Sequence, residues 1–552
     1  MKFKELADLL YPNVKSVDFW ENEYRDRNLT KGAEVTRFAP SPTGYMHIGN
    51  FFTCMIDYAI AKSSGGTFYF RLEDTDKKRE IQGAGEIALG IMKQFGVVPD
   101  EGLMADGSQL GEYGPYIQSQ RLDIYQSYAK DLISKGLAFP CFCTKTENIE
   151  EIEKRREEQL TESEEIEEKD PCRDFSFDEV KARLKNGEQF AIALRSNGTK
   201  GQTITIRDEV KGEREVPANC KDIILIKSNG IPVYAFAHAV DDHLMRTTLV
   251  VRGNEWFSSY PSHLEVFYAL GFKRVKYIHS PLICKIDENG NKRKISKRKD
   301  KEADMRFFLI EGYPTSSVVE YLMNIANSSF EPWRKANPFA PIDEFIFKSN
   351  KIGVSDPMFD INKLNDISKT IISKMTADEV VTHWSNWAKE YNPVLASYID
   401  THQTYVTQLM RIERGNEKPR KDICKWSEIE TYYDYMLEIS EQWKAGINFG
   451  QVILNTNDST SIINNILIRY AEMYDETDTK EEWFNKIKLL CDQVNFASDM
   501  KAYKANKESY IGSVADMSSI IRIAITGKKN TPDLYELMKL LGKEKVKSRL
   551  KV

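Results

Sequence analysis

A parallel α/β sheet over the first 310 or so residues, followed by an all-α region, is the fold class the sequence predicts, and three observations predict it. Strand-like runs at Val35 to Phe38 and Thr67 to Leu72 flank an apolar, helix-like segment, Phe51 to Lys62, in the strand, helix, strand order of a parallel sheet. Similar runs recur at Phe190 to Leu194, Thr203 to Ile206, Ile223 to Ile226, Thr248 to Val251 and Val275 to Ile278. Beyond residue 310 Gly and Pro become sparse, and apolar residues fall at helical spacings such as Leu534, Leu537, Met538 and Leu541. The 552 residues are enough for several domains, and 41% hydrophobic with 29% charged residues is the composition of a globular chain.

Taken in order, residues 1 to 30 place Phe3, Leu6, Leu9 and Leu10 at helical spacing, then a charged stretch from Glu21 to Arg27 ending at Gly32, which predicts a helical N-terminal extension. Between Glu147 and Asp170 stand twelve Asp or Glu against four Lys or Arg, a local charge of -8 that predicts a solvated helix or loop over 145 to 170. Ile223 to Ile226, the turn Ser228-Asn229-Gly230 and Val233 to Ala237 read as a β-hairpin. No apolar run approaches the roughly 18 residues of a membrane span, so no membrane association is expected. The first ten residues lack the basic start and apolar block of a secretory signal, and eight scattered cysteines suit a reducing compartment; a cytoplasmic location is the expectation. A net charge of -6 taken alone argues against a nucleic-acid partner.

Chemistry concentrates in two places. Arg37-Phe38-Ala39-Pro40-Ser41-Pro42-Thr43-Gly44-Tyr45-Met46-His47-Ile48-Gly49-Asn50 leaves a strand and opens a helix. Its prolines fix the loop, Gly44 permits a tight turn, and the helix start offers unpaired N–H groups to a polyphosphate. His47 adds a donor toward an α-phosphate on which charge grows, and Gly49 lets a nucleotide ring approach the backbone. Some 250 residues later Lys292 to Lys301 holds seven basic residues and one acidic.

Together these stretches resemble the HIGH motif (His47-Ile48-Gly49-Asn50) and the KMSKS motif (Lys294-Ile295-Ser296-Lys297-Arg298) of class I aminoacyl-tRNA synthetases. Arg71-Leu72-Glu73-Asp74-Thr75-Asp76 resembles the RxEDTD signature of the glutamyl and glutaminyl enzymes, and Phe38 to Gly44 resembles the glutamyl loop rather than the glutaminyl PPEPNG. Pro232 to Tyr234, Val240 to Met245 and Val251 to Trp256 are similar to the glutamyl substrate-binding region, and Leu534 to Glu544 to the last helix of bacterial glutamyl enzymes. Residues 380 to 510 match only in helical character; Asn50 and Ile295 are the departures within the two motifs.

The resemblance implies a bacterial-type glutamyl-tRNA synthetase family member with a Rossmann-type catalytic domain in two halves, 33–122 and 223–310, after an extension, 1–32. An inserted acceptor-stem domain, 123–222, a stem-contact region, 311–375, and an all-helical anticodon-binding domain, 376–552, complete it. It implies glutamate activation by ATP with Mg²⁺, generally with tRNA bound, and transfer to tRNA(Glu). His47, Lys294 and Lys297 become the catalytic candidates; Thr43, Gly44, His47, Gly49, Asn50, Glu255, Trp256 and Lys297 bind ATP. Arg37, Ser41, Glu73, Tyr234 and Arg252 bind glutamate, since a buried carboxylate needs a cation and guanidinium meets it bidentately. Asp74 and Asp76 either orient the tRNA's terminal ribose or cap a turn. Cys141, Cys143 and Cys172 match a zinc set of some relatives but supply three ligands where zinc takes four; Asp174 or Cys220 could complete it, and ordinary thiols are the expectation. A monomer is implied. Alternatives are an enzyme that also charges tRNA(Gln), a glutaminyl enzyme, and a non-catalytic RNA-binding paralogue, which predicts damaged ATP motifs where His47, Lys294 and Lys297 stand intact.

Overall fold

The computed structural model describes residues 2–76, 79–143, 169–437, 439 and 442–551. Most of the acidic 145–170 run, up to residue 168, lies outside the described residues. The chain divides into two compact units, residues 1–308 with 318–360, and residues 309–317 with 361–552.

In the first unit two short helices, α1 (Phe3–Leu10) and α2 (Val17–Glu23), precede strand β1 (Val35–Phe38). All four β1 residues are buried, the mark of a strand covered on both faces. Helix α3 (Ile48–Ser64) crosses over to β2 (Thr67–Phe70), which pairs in parallel with β1, Val35 opposite Thr67. The crossover ends on Gly65 and Gly66, and at Gly66 a Cβ would lie 1.9 Å from the Glu34 carbonyl oxygen. Only glycine lets the chain return this close to the strand. Helix α4 (Ala84–Gln94) leads to β3 (Glu101–Leu103), parallel to β2, and the short β4 (Gln109–Leu110) runs antiparallel beside it.

Helix α5 (Leu122–Ser134) carries the N-terminal extension: Trp20 Nε1 donates to Ser127 Oγ at 2.9 Å, and Asp8 pairs with Lys130 at 2.8 Å. Strand β5 (Ala138–Cys141), helix α6 (Phe177–Lys185), β6 (Ala191–Leu194), the hairpin β7 (Thr203–Asp208) and β8 (Gly212–Pro217), and β9 (Ile223–Ile226) follow. β6 pairs antiparallel with both β5 and β9. The chain then returns through helix α7 (Tyr234–Leu244) to β10 (Leu249–Gly253), helix α8 (Tyr260–Leu270) and β11 (Lys276–Ser280). β10 and β11 pair in parallel, and Thr248 N–H donates to the Val35 carbonyl at 3.0 Å, which sets β10 beside β1.

The expected hairpin over 223–237 is corrected. Its turn is present, with Lys227 N–H donating to the Ile231 carbonyl at 2.9 Å, but the returning strand is cut to a single bridge at Pro232 before α7 begins at Tyr234. Phe236, Ala237, Ala239, Val240 and Leu244 are all buried, so the helical spacing of this alanine-rich stretch overrides the strand suggested by the preceding turn. The strand expected over Thr67 to Leu72 ends at Phe70, and Leu72 bridges instead to Ile117.

The second unit is helical almost throughout. Capping boxes at Thr376 with Glu379, Thr479 with Glu482 and Ser513 with Asp516 start three of its longer helices. Leu534, Leu537, Met538 and Leu541 are buried together along helix Leu534–Leu541, the face their spacing predicts. Among the described residues no helix is long and apolar enough to cross a membrane.

Candidate active site

The proline-rich loop leaves the C-terminal end of β1 and is pinned there by backbone bonds. Glu73 N–H donates to the Pro40 carbonyl at 3.0 Å and Ile81 N–H to the Pro42 carbonyl at 2.7 Å. His47 is the N-cap of α3, its Nδ1 accepting the Gly49 N–H at 2.9 Å. The proton therefore sits on Nε2. A Cβ at Gly49 would come within 3.0 Å of that Nδ1, so the glycine makes room for the histidine's own ring. Burial, followed by the charges of Lys294 and Lys297, pushes His47 down to about 4, and the ring is neutral at physiological pH.

The two motifs, far apart in sequence, meet here. Strands β12 (Cys284–Ile286) and β13 (Lys292–Lys294) form an antiparallel hairpin whose end carries the lysine loop. Lys297 Nζ donates to the Tyr45 carbonyl and lies 3.5 Å from where a Gly44 Cβ would stand. Lys294 Nζ reaches Glu255 at 2.9 Å, and Trp256 beside it is 40% exposed and packs its ring 4.7 Å from that of Tyr234. Asp300 braces the loop from within, accepting both Arg293 amino groups at 2.6 and 2.8 Å and the Ser296 N–H at 2.9 Å. Thr43 and Asn50 are exposed at the mouth of this arrangement, as is Ser41.

Below the loop lies a buried set of charges. Arg37 pairs with Asp242 at 3.2 Å; Arg71 meets Asp242 at 2.7 Å and Glu73 at 2.9 Å; Arg121 meets Asp241 at 2.7 Å. Arg252, also buried, bonds no carboxylate among the described residues. Its Nε donates to His279 Nε2 at 2.9 Å and its Nη1 to His263 Nδ1 at 2.7 Å, while its Nη2 has no hydrogen-bond partner. Burial raises the Tyr234 phenol, whose ring lies 5.4 Å from that of His238 and 5.5 Å from that of His263; His238 Nδ1 stands 3.4 Å from Arg37, and His263 accepts from Arg252. The structure thus brings Arg37, Glu73, Tyr234 and Arg252 together.

Asp74 and Asp76 sit just beyond. Asp74 Oδ1 accepts the Ser119 N–H at 2.8 Å, tying the turn to a segment 45 residues on, and Asp76 pairs with Arg79 at 2.6 Å. Sequence reasoning passed over Asp241 and Asp242, which lie inside a quoted stretch, and over His238, His263 and His279, which stand on separate elements. His238 donates from Nδ1 to Asp242 at 2.7 Å and contacts the Tyr277 hydroxyl through Nε2 at 2.8 Å.

A second constellation lies at the end of β5. One sulfur each from Cys141, Cys143 and Cys172 and a carboxylate oxygen of Asp170 all fall within 4.8 Å of one another. The Cys143 and Cys172 sulfurs are 3.6 Å apart, close to the edge of a tetrahedron built on metal–sulfur bonds of about 2.3 Å. The group that joins the three sulfurs is Asp170, rather than Asp174, whose side chain is 93% exposed, or Cys220. The donor set fits zinc.

A parallel sheet whose first crossover helix is capped by the histidine of a proline-rich loop, under a loop of lysines, defines an α/β enzyme of the nucleotide-binding kind. Residues 34–366 match the family model for the catalytic domain of class I tRNA synthetases (E and Q), and residues 470–552 match that of an anticodon binding domain. Glutamate–tRNA ligases of Clostridium perfringens (strain SM101) and Acetivibrio thermocellus are each 41% identical over 100% of this chain and 99% of their own. That of Sorangium cellulosum is 40% identical over 96% of each chain. The crystal structure of a glutamate tRNA ligase from Elizabethkingia meningosepticum shares the fold, with a TM-score of 0.69 at 22% identity over 94% of this chain and 98% of that one. The chain belongs to the glutamate–tRNA ligase family of class I tRNA synthetases, and it is an enzyme of the ligase type.

Proposed function

We propose that this chain activates L-glutamate with ATP and transfers the glutamyl group to the 3' end of tRNA(Glu). The observation that carries the choice of amino acid is Arg252: a buried guanidinium with, among the described residues, no carboxylate partner and one amino group free of hydrogen bonds. It supplies the cation that a buried side-chain carboxylate requires. Arg37 and the Tyr234 hydroxyl flank the same carboxylate and Ser41 adds a hydrogen bond. Arg71 holds Glu73 through Oε1, and the other oxygen meets the substrate ammonium. An amide in place of the carboxylate leaves Arg252 unpaired, and polar recognition of this type separates substrates by about 10⁴-fold or more.

In the first step the α-carboxylate oxygen attacks the α-phosphorus of ATP, the bond to the β-phosphate oxygen breaks, and pyrophosphate leaves. The attacking group is already ionised, so no general base is needed. His47 donates from Nε2 to a non-bridging oxygen as its charge grows, and Lys294 and Lys297 meet the phosphates from the other side. Thr43, Gly44, Gly49 and Asn50 shape the phosphate seat; Glu255 and Trp256 line the adenosine side. Mg²⁺ enters with ATP, neutralises the phosphates and needs few protein ligands. In the second step a hydroxyl of the terminal ribose attacks the glutamyl carbonyl, the bond from that carbon to the phosphate oxygen breaks, and AMP leaves as the hydroxyl's proton passes to the departing phosphate. Asp74 and Asp76 support the turn that faces this ribose. The enzyme acts as a cytoplasmic monomer, with residues 123–222 meeting the acceptor stem, 311–375 the adjoining stem and 376–552 the anticodon. Zinc held by Cys141, Cys143, Asp170 and Cys172 supplies structural cross-linking, with no part in either step.

Arg252→Ala tests the site. Glutamate-dependent pyrophosphate exchange falls by about 10³-fold, while ATP protects the variant from proteolysis as it protects the parent. An unchanged glutamate KM would remove Arg252 from the pocket.

A further inference from the structure

Arg252 differs from the other buried arginines around the pocket in what holds it. Arg37, Arg71 and Arg121 each bond a carboxylate, so their charges are compensated within the protein. Arg252 is held by two imidazoles and by the face of Tyr277, 4.8 Å from its guanidinium carbon. The hydrogen bonds assign the state of both rings. Guanidinium only donates, so His279 Nε2 and His263 Nδ1 must accept. His279 Nδ1 lies 2.8 Å from Asp208 Oδ2, a carboxylate that only accepts, and therefore carries the ring's single proton. Burial keeps both rings neutral, His279 pushed down to about 4 and His263 well below its ordinary value. Asp208 stands behind His279, its oxygens also accepting the backbone N–H groups of Val210, Lys211 and His279 at 2.8–2.9 Å, and it makes no bond to Arg252.

We propose that His263 and His279 are positioning residues that hold Arg252 by neutral acceptors, so that its charge stays uncompensated and the pocket selects glutamate over glutamine by charge. A carboxylate at either acceptor position fixes the guanidinium equally well but cancels its charge and repels the substrate's own carboxylate. Geometry alone calls for an acceptor; only charge selection calls for a neutral one. His263 comes from α8 and His279 from β11, so the cradle is built by the second half of the sheet around the end of β10.

The inference rests on the glutamate-activating reading, and the experiment separates the two. Pyrophosphate exchange is measured with tRNA present, for glutamate and for glutamine, in the parent and in the isosteric pair His263→Asn and His263→Asp, which both place an oxygen where Nδ1 stands. The pair His279→Gln and His279→Glu, which reaches the Nε2 position, repeats the contrast should one site not tolerate change. Within each pair loss of the ring is common, so the difference reports charge. The neutral member keeps the parent's preference for glutamate over glutamine in kcat/KM to within a few-fold, and the acidic member loses on the order of tenfold or more of that preference, through a raised glutamate KM with the ATP KM unmoved. Equal preference in the neutral and acidic members of both pairs would overturn the inference while leaving glutamate activation intact. A parent that activates no glutamate would instead defeat the reading on which it rests.

Discussion

The His47 proton sits on Nε2 because the Gly49 amide already occupies Nδ1, so under the proposed function one side chain both caps α3 and serves the phosphate. The two roles separate in His47→Asn. Asparagine is a good N-cap and can accept the same N–H, but it has no group at the Nε2 position. Thermal stability should therefore stay within a degree or two of the parent's, while adenylate formation slows by about 10²- to 10³-fold with little change in the ATP KM. A rate within threefold of the parent's would remove the histidine from the transition state. At this scale the sequence was informative where one short stretch carries both a fold signal and a chemical one, as Arg37 to Asn50 does. It was silent on His263 and His279, because their meaning depends on a guanidinium that reaches them from a different strand.

Among the elements, the end of β5 offers the clearest contrast between reading and structure. Cys141 and Cys143 leave the strand in a C-x-C pattern, and Asp170-Pro171-Cys172 answers with D-x-C from the far side of 26 intervening residues. The second pattern was visible in the sequence but is weak alone, since an aspartate before a proline ordinarily reads as a turn residue. The four donors predict about one zinc per chain by metal analysis, lost in Cys143→Ser, with thermal stability lowered and exchange in the surviving folded enzyme near the parent's rate. A metal-free protein of full stability would return these cysteines to ordinary thiols. Elsewhere element type followed hydrophobic period where the period was long, as in Ile48–Ser64, and failed over 233–237, where a five-residue apolar run after a turn proved to be the start of an eleven-residue helix.

For the whole molecule the net charge of -6 does not decide the partner, because the charge is segregated. Glu147 to Asp170 holds -8, which leaves the rest of the chain at +2, while Lys292 to Lys301 holds +6 and Lys539 to Lys551 has six basic residues against one acidic. With a Debye length of about 8 Å at physiological salt, phosphates respond to such local patches rather than to the sum. The division into an α/β unit and a helical unit was legible from composition and period, since strands and helices leave different repeats. The unit boundary was less so, because residues 309–317 belong to the helical unit while 318–360 return to the first. The central claim, glutamate activation coupled to tRNA, is tested most directly by ATP–pyrophosphate exchange with the intact chain, with glutamate or glutamine, with and without purified tRNA(Glu). The account predicts exchange driven by glutamate in the presence of tRNA, little with glutamine, and glutamyl-tRNA as product; no exchange and no charging with either amino acid when tRNA is present would contradict it.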